Sequence, residues 1–295
     1  MNTNHHFVFS GAATALITPF KDGAVDREVW QRLLQDQIAQ GISALVVCGT
    51  TGEAPTLKEV ERDLLLSEAV EAAEGRLPVI MGCGTNSTEH SLSLAKRAAA
   101  LGADALLVVT PYYNKGTREG VRQHFLRIAE EGHLPVILYN VPGRTGVDLS
   151  LEDYAVLCEH PNIVGVKEAS ADCEKAGALC RMANGRFAVY SGNDTLLLPY
   201  LSLGGTGVIS VVSNLYPAEI GEIIRLFENG KLNEARRLFF KLWPMMRLLF
   251  EETNPAPVKY AMSLLGYGNG ELRLPLCTVG EGLRRRIFAE LNGAK

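Results

Sequence analysis

The chain has 295 residues, of which 47% are hydrophobic and 21% are charged, as is typical of a soluble globular protein. Its 29 lysine and arginine residues against 33 aspartate and glutamate residues give a formal net charge of -4, which argues against binding to a polyanion such as a nucleic acid. No apolar run is long enough to cross a bilayer, which argues against a membrane-spanning protein.

The N-terminus and the cysteines indicate a cytoplasmic protein. Residues 1–6 lack the basic start and the apolar core of a signal peptide. The six cysteines are scattered and form no CxxC pair, which favours buried thiols over disulfides in a chain of this length. The six histidines have no metal-ligand spacing, so the sequence predicts no metal site.

Short apolar runs alternate with helical patterns along most of the chain. The predicted strands are about 12–17, 44–48, 78–81, 105–109, 135–139, a run ending at Lys167, 187–190 and 207–210. The predicted helices that follow them are about 26–40, one starting at 56, and then 88–101, 117–131, 151–158, 172–182, 195–203 and 217–228. A polar turn is expected at residues 21–23, between the first strand and the first helix.

The second helix is predicted from its N-terminal signal. Residues 56–59 have the spacing of a capping box, with Thr56 as the N-cap and Glu59 three residues later. The apolar residues that would share one face of this helix are Val60, Leu64, Leu65, Ala69 and Ala72.

Eight strand–helix units in one chain predict an α/β fold of the (β/α)8 TIM-barrel type. The strands are continuous apolar runs, as expected when a parallel sheet is buried on both faces. A doubly wound sheet is the rival architecture, but its glycine-rich fingerprint is absent after the first strand. We therefore predict a barrel over residues 1–229 and a C-terminal helical appendage over residues 230–295, with helices near 233–250, 257–265 and 279–291.

A lysine ends the sixth strand, which reads Ile163-Val164-Gly165-Val166-Lys167-Glu168. Burying an unpaired ammonium group is costly and favours the neutral amine, which can attack a carbonyl to form a Schiff base. The alternative is a side chain that reaches solvent or pairs with Glu168.

Other polar groups follow other strands, and the carboxyl ends of barrel strands are where active sites form. Gly49-Thr50-Thr51-Gly52 after the second strand could hold a small carboxylate, or could be a plain loop with helix-capping threonines. Tyr112 and Tyr113 after the fourth strand could transfer protons, although alone they are more typical of packing at a subunit contact.

The fifth and eighth strands add further candidates. Tyr139 at a strand tip suits acid–base work, and Arg144 on a Pro-Gly loop suits a carboxylate, against the alternative of a surface arginine. The run Gly204-Gly205-Thr206-Gly207 before Ile209 could bind phosphate or let backbone carbonyls reach a small substrate.

With these motifs the chain resembles the 4-hydroxy-tetrahydrodipicolinate synthase (dihydrodipicolinate synthase) family of the pyruvate-dependent class I aldolases. The segments that carry the resemblance, in family order, are 49–53, 111–113, 139–146, 165–168, 191–194, 207–210 and 254–259. Assignment within the superfamily depends mainly on the Thr-Thr pair, the tyrosine pair and Arg144. Other pyruvate lyases, such as N-acetylneuraminate lyase or a 2-keto-3-deoxy-sugar-acid aldolase, are the alternative, and a non-catalytic barrel that binds small acids is a third.

The resemblance implies a set of roles. Lys167 would form a Schiff base with pyruvate, with no other cofactor and no metal. Tyr139 would be its acid–base partner, and Thr50 and the neighbouring subunit's copy of Tyr113 would complete a proton relay. The residues that would bind substrate are Thr51 and the Ile209 backbone for pyruvate, and Arg144 for L-aspartate 4-semialdehyde.

The resemblance also implies a cytoplasmic homo-oligomer, a tetramer built as a dimer of dimers, that serves lysine biosynthesis through diaminopimelate. One departure concerns inhibition by lysine. Inhibited relatives carry a glutamate on the helix after the third strand and histidines on the helix after the second. Here the matching positions are His90, Glu59 and Arg62, so weak or absent inhibition is expected.

Overall fold

The computed structural model describes residues 7–293, so the N-terminal segment 1–6 considered above lies outside the described residues. The strands, in chain order, are β1 (Gly11–Ala15), β2 (Phe20–Lys21), β3 (Ala24–Val25), β4 (Ala44–Val47), β5 (Val79–Gly82), β6 (Ala105–Val109), β7 (Val136–Asn140), β8 (Ile163–Glu168), β9 (Ala188–Ser191) and β10 (Gly207–Ser210).

Eight of these strands form a closed barrel in the order β1-β10-β9-β8-β7-β6-β5-β4. Each predicted strand is present, with ends that shift by one or two residues at most. The reason is that an uninterrupted apolar run suits a strand with both faces buried, and β4, β5 and β7 are buried at every position. The predicted (β/α)8 barrel is therefore confirmed.

Helices follow the barrel strands, and three more follow the last strand–helix unit. They are α1 (Arg27–Ala39), α2 (Glu59–Ala73), α3 (Thr88–Ala100), α4 (Arg118–Glu131), α5 (Pro142–Thr145), α6 (Leu151–Leu157), α7 (Cys173–Ala183), α8 (Leu197–Ser202), α9 (Pro217–Glu228), α10 (Leu232–Leu248), α11 (Ala256–Leu264) and α12 (Glu281–Gly293). Helix α10 packs against α9 and α12, and α12 also packs against α11, which confirms the C-terminal helical appendage.

The chain divides into two compact units by backbone proximity. One holds Pro78–Ile209 with the stretch that ends at Gly11, and the other holds Ala12–Leu77 with the chain from Ser210 onward. Each unit has a buried apolar core. Leu106 and Val166 are 0% exposed in the first unit, and Leu45 is 0% exposed in the second. The predicted division into residues 1–229 and 230–295 stays a prediction.

The polar turn predicted at residues 21–23 is the tip of a small hairpin that the pattern of apolar runs missed. Strands β2 and β3 pair antiparallel, with Phe20 opposite Val25 and Lys21 opposite Ala24. The two turn residues, Asp22 and Gly23, have φ values of 54° and 79°. Two positive φ angles are what a type I′ turn needs, and Asp-Gly is a common sequence for it, so the dipeptide was the available signal.

The predicted start of α2 is wrong by two residues. Thr56 closes a 3-10 turn, Ala54–Thr56, and Lys58 is the N-cap of α2. The Glu61 carboxylate accepts a hydrogen bond of 2.8 Å from the Lys58 backbone N–H, which is the interaction that the prediction assigned to Glu59. The predicted apolar face is also partly wrong, because Val60 is 71% exposed and the buried apolar positions are Leu65, Leu66, Ala69 and Ala73.

A buried ion pair joins α11 to the segment after β4. Lys259 Nζ lies 2.6 Å from Glu53 Oε1, with the two side chains 3% and 0% exposed. Glu53 Oε2 also accepts a hydrogen bond from the Arg273 backbone N–H, and the Phe20 ring lies 4.1 Å from Lys259 Nζ. Burial lowers the pKa of Lys259, while the attraction of Glu53 acts in the opposite direction. The cost of burial is thus offset by one close carboxylate.

Removing the cation of this pair should destabilise the protein strongly. In Lys259→Met the stem is retained, but the Glu53 carboxylate stays buried without its cation. We expect the free energy of unfolding to fall by about 3–5 kcal/mol, because an uncompensated buried charge remains. Chemical denaturation followed by circular dichroism measures the loss.

Arg286→Met is the matched control. Its partner Glu251 lies on the protein surface, with the two side chains 53% and 47% exposed, so the loss should stay below about 1 kcal/mol. The double variant Lys259→Met/Glu53→Gln should recover part of the stability lost in Lys259→Met. Similar losses for Lys259→Met and Arg286→Met would show that the buried pair contributes no more than a surface pair.

Candidate active site

Strands β7 and β8 bring the predicted lysine and tyrosine together. The strands are parallel neighbours, and their register places Tyr139 beside Lys167. Lys167 is 5% exposed and Tyr139 is 7% exposed. Lys167 Nζ lies 4.5 Å from the centre of the Tyr139 ring, within the range of a cation–π contact. The buried Lys167 amine therefore lies close to the Tyr139 ring, and the phenol hydroxyl group belongs to that same tyrosine.

The alternative pairing of Lys167 with Glu168 is not observed. Successive side chains of a strand point to opposite faces, so the two diverge. The Glu168 carboxylate instead accepts hydrogen bonds from Asn140 Nδ2, Tyr154 Oη and the Ser170 backbone N–H. Within residues 7–293, Lys167 has no carboxylate at ion-pair distance, so its amine remains available to a ligand.

Gly192 makes room for Lys167, a role that the sequence did not predict. A Cβ atom at this position would lie 3.2 Å from Lys167 Cε and 2.6 Å from Ala169 Cβ. The second distance is shorter than real contacts allow, so only glycine fits without a shift. The signal in the sequence was the 191–194 segment after β9, which carried the resemblance but had no assigned function.

Arg144 lies in helix α5 and not on the Pro-Gly loop that was predicted. Pro142 begins this short helix, which suits the fixed φ of proline. The helix is anchored through Thr145, whose hydroxyl oxygen accepts a 3.0 Å hydrogen bond from the hydroxyl of Thr110 after β6. The Thr110 backbone N–H also donates to the Tyr139 carbonyl oxygen at 3.0 Å. Thr110, which the sequence did not single out, thus links the tip of β7 to the helix that carries the exposed Arg144.

Tyr113 lies on the surface in a strained backbone conformation. Its side chain is 88% exposed, and its φ of 73° is in the left-handed region. That conformation costs a non-glycine residue about 1–2 kcal/mol. Asn114 holds the segment by donating a hydrogen bond of 2.9 Å to the Asn86 carbonyl oxygen. An aromatic ring held outward at such a cost is suited to contact with another molecule.

The Thr50-Thr51 turn belongs to the second compact unit, which holds Ala12–Leu77 with the chain from Ser210 onward. Neither threonine caps a helix, since Glu53 is the N-cap of the following 3-10 turn and Lys58 that of α2, so that interpretation is wrong. Thr51 is 2% exposed, and its hydroxyl oxygen accepts a 3.0 Å hydrogen bond from Asn254 Nδ2. Thr50 is half-buried, and its carbonyl oxygen accepts from the Glu53 backbone N–H at 3.1 Å. The Thr51 hydroxyl group is thus held in place by Asn254.

The glycine run before Ile209 has a packing explanation. A Cβ on Gly207 would lie 1.9 Å from the Gly11 carbonyl oxygen, so β10 could not approach β1 with any other residue there. Ile209 is 0% exposed within β10. Gly207 therefore serves close packing, as does Gly205, whose Cβ would lie 2.8 Å from the Tyr200 carbonyl oxygen, whereas a Cβ at Gly204 would meet no atom within 4 Å.

Among residues 7–293, no group of three or more His, Cys, Asp or Glu side chains is placed to hold a metal ion. The described part of the chain contains no helix that is long and apolar enough to span a membrane. All six cysteines are free, but the expectation of buried thiols holds only for Cys48 and Cys83, since Cys173 and Cys277 are exposed. Burial raises the pKa of the Cys48 thiol to about 12, so this thiol is unreactive.

Comparison with known proteins identifies one family over nearly the whole chain. A model of the dihydrodipicolinate synthetase family matches residues 8–293. The 4-hydroxy-tetrahydrodipicolinate synthase of Thermotoga neapolitana is 49% identical over 278 residues, which cover 93% of this chain and 95% of that protein.

Two solved structures extend the match to three dimensions. Dihydrodipicolinate synthase from Thermotoga maritima superposes with a TM-score of 0.95 at 45% identity, over 98% of this chain and 99% of that one. The dihydrodipicolinate synthase from Acinetobacter baumannii, solved in complex with pyruvate, gives a TM-score of 0.94 at 43% identity, over 97% and 98% of the two chains. This chain belongs to the dihydrodipicolinate synthetase family.

Proposed function

We propose that the chain is a 4-hydroxy-tetrahydrodipicolinate synthase, which condenses pyruvate with L-aspartate 4-semialdehyde on the diaminopimelate route to lysine. The observation that carries the proposal is the buried Lys167 amine, held 4.5 Å from the Tyr139 ring by neighbouring strands. A relative of that name that is 49% identical over 93% of this chain supports the choice of reaction.

In the proposed reaction the neutral Lys167 amine attacks the carbonyl carbon of pyruvate. A carbon–nitrogen bond forms, the carbonyl oxygen leaves as water, and a protonated imine remains. Tyr139 supplies and takes the protons of these steps, since its phenol is part of the same buried pair. Loss of a methyl proton then gives an enamine, whose carbon attacks the aldehyde carbon of the semialdehyde to form the new carbon–carbon bond.

The remaining roles follow the family resemblance. Thr50 and the neighbouring subunit's copy of Tyr113 relay protons to Tyr139. Thr51, oriented by Asn254, holds the pyruvate carboxylate together with the Ile209 backbone. Arg144 binds the carboxylate of the semialdehyde, for which a guanidinium fork is well suited.

The enzyme works without metal or cofactor, because the covalent adduct on Lys167 performs the activation that a cofactor would otherwise supply. Its active form is a homo-oligomer, a tetramer arranged as a dimer of dimers, in the cytoplasm. The strained, exposed Tyr113 supports an assembly in which this ring enters a neighbouring copy, and the six free cysteines suit a reducing compartment.

Borohydride reduction in the presence of pyruvate tests the covalent step. The peptide that contains Lys167 should gain the mass of a reduced pyruvyl group, because reduction makes the imine permanent. Mass spectrometry of a digest locates the adduct, and Lys167→Ala should carry none. An adduct that persists in Lys167→Ala, or that falls on another lysine, would contradict the proposal.

Arg144→Ala separates the two substrates in the same experiment. It should trap pyruvate like the wild type, while kcat/KM for L-aspartate 4-semialdehyde falls by about ten- to a hundredfold, the range expected for a lost hydrogen bond to a charged group. A coupled assay measures turnover of L-aspartate 4-semialdehyde, and a parallel assay offers N-acetylmannosamine, the aldehyde that a neuraminate lyase would use. The aldehyde that is turned over identifies the second substrate. Equal damage to trapping and to turnover would mean that Arg144 only supports α5.

Mixing two inactive variants tests the exchange of Tyr113 between subunits. Tyr113→Phe retains Lys167, and Lys167→Ala retains Tyr113, so a hybrid dimer has one complete site. With free exchange half of the dimers are hybrids, and one of their two sites is complete, so about a quarter of wild-type activity should return. No recovery, despite exchange proven by native mass spectrometry, would place Tyr113 in its own subunit's site.

Lysine should inhibit weakly or not at all. His90 is exposed on α3 where inhibited relatives carry a glutamate, and Arg62 donates a 2.8 Å hydrogen bond to the Ala54 carbonyl oxygen. A lysine ammonium group without a carboxylate partner loses an interaction worth about 1.5–3 kcal/mol, or about ten- to a hundredfold in affinity.

Titration of L-lysine into the coupled assay at limiting pyruvate measures this effect. His90→Glu is the matched variant, and it should bind lysine about tenfold more tightly or better if the missing carboxylate is the cause. Strong inhibition of the unmodified enzyme would show that Glu59, which is exposed on α2, replaces that carboxylate.

A further inference from the structure

Glu168, the residue after the Schiff-base lysine, is a fully buried carboxylate in a complete cage of donors. It is 0% exposed. Asn140 Nδ2 lies 3.0 Å from each of its oxygens, Tyr154 Oη donates at 2.8 Å, and the Ser170 backbone N–H donates at 2.8 Å. Every contact is a donor, so the group is bound as an acceptor only.

No cation balances this carboxylate. Within residues 7–293, Glu168 forms no salt bridge with a lysine, arginine or histidine, in contrast to Glu53 with its partner Lys259. Burial raises the pKa of Tyr154 well above its usual value, and the nearby charge of Glu168 adds to the rise, so the phenol stays a donor. Burying a carboxylate without a cationic partner has a high free-energy cost. An apolar side chain of similar size would fill the same space at a lower cost if packing were the only need.

Asn140, the main partner, is itself held on all sides. Its Oδ1 accepts from the Leu149 backbone N–H at 3.1 Å, and its Nδ2 also donates to Asp148 Oδ1 at 2.8 Å. Its backbone carbonyl oxygen accepts from the Ala169 N–H at 2.8 Å. These hydrogen bonds fix the Asn140 side chain, which in turn holds Glu168 at the end of β8.

The register of β7 and β8 connects this cage to the site. Tyr139 is paired with Lys167, and the next pair along the same two strands is Asn140 with Glu168. The side chains of the two pairs point to opposite faces of the sheet, so the cage lies behind the site and does not touch substrate.

We propose that Glu168 is a positioning residue, whose caged carboxylate locks the ends of β7 and β8 together and so sets the spacing of the Lys167 amine and the Tyr139 phenol. The inference rests on the proposed function. The cage adds side-chain hydrogen bonds to the backbone pairing of these strand ends, and a displacement of about 1 Å at a reacting group can cost about a hundredfold in rate.

Glu168→Gln tests the proposal because it keeps the shape of the side chain but places an NH2 group where a donor already points. At saturating pyruvate the rate of borohydride-dependent trapping on Lys167 should fall by about ten- to a hundredfold, and kcat should fall with it. The KM for L-aspartate 4-semialdehyde should change by less than about twofold, because the cage does not touch the second substrate.

Asp153→Asn is the matched control. Asp153 is also buried, at 3% exposure, and its carboxylate accepts a 2.7 Å hydrogen bond from Arg122 Nε and a 2.9 Å hydrogen bond from the backbone N–H of Ser150, the N-cap of α6. This variant should lower the melting temperature at least as much as Glu168→Gln, yet trap pyruvate at the wild-type rate. A Glu168→Gln protein that is less stable but traps at the wild-type rate would overturn the proposal, as would equal slowing in Asp153→Asn.

Tyr154→Phe keeps the experiment decisive if Glu168→Gln does not fold. It removes one donor of the cage and leaves the carboxylate and Asn140 in place, so trapping should slow by less than in Glu168→Gln but measurably, with an unchanged KM for the semialdehyde. A wild-type trapping rate in folded Tyr154→Phe would overturn the proposal in that case. Failure of the unmodified enzyme to trap pyruvate would count against the proposed function itself, whereas normal trapping in both wild type and Glu168→Gln would count only against the positioning role.

Discussion

The parallel pairing of β7 with β8 is the constraint on which the proposed chemistry of this protein depends. Parallel neighbours run in the same direction, so residues at matching heights stay side by side, and here one such pair is Tyr139 and Lys167. Both side chains are almost inaccessible to solvent, and the amine contacts the face of the tyrosine ring. A change of one position in register would turn the lysine to the other face and remove it from the site.

Buried charge is handled in three different ways in the described chain. Lys259 and Glu53 neutralise each other at 2.6 Å. Glu168 relies on neutral donors from Asn140, Tyr154 and a backbone N–H. Within residues 7–293 Lys167 has neither kind of partner, and the proposed reaction needs an amine without an ionic partner. This contrast distinguishes Lys167 from Lys259 more clearly than burial does, because both lysines are almost inaccessible to solvent.

The sequence predicted the barrel well because the relevant signal is local. Each strand is an uninterrupted apolar run, and Lys167 and Tyr139 could be placed at strand ends from their neighbours alone. The local signal failed where two possible helix starts lie close together. Thr56 and Glu59 have capping spacing, but Thr56 lies in a 3-10 turn and the capping box is formed by Lys58 and Glu61. The cage around Glu168 was not predictable, because its partners Asn140 and Tyr154 are 28 and 14 residues away and meet it only in the folded barrel.

Gly192 shows how the reach of one side chain limits what can change elsewhere. The position holds no reactive group, yet the space it leaves is occupied by the lysine stem, with Cε only 3.2 Å from where a side chain would begin. In the proposed reaction the arm of Lys167 carries first a free amine and then a bulkier adduct, and its stem needs this space for both. A side chain at position 192 would therefore restrict the rotamers of the lysine stem as well as crowd Ala169 Cβ, so a residue without a reactive group limits the motion of the residue beside it.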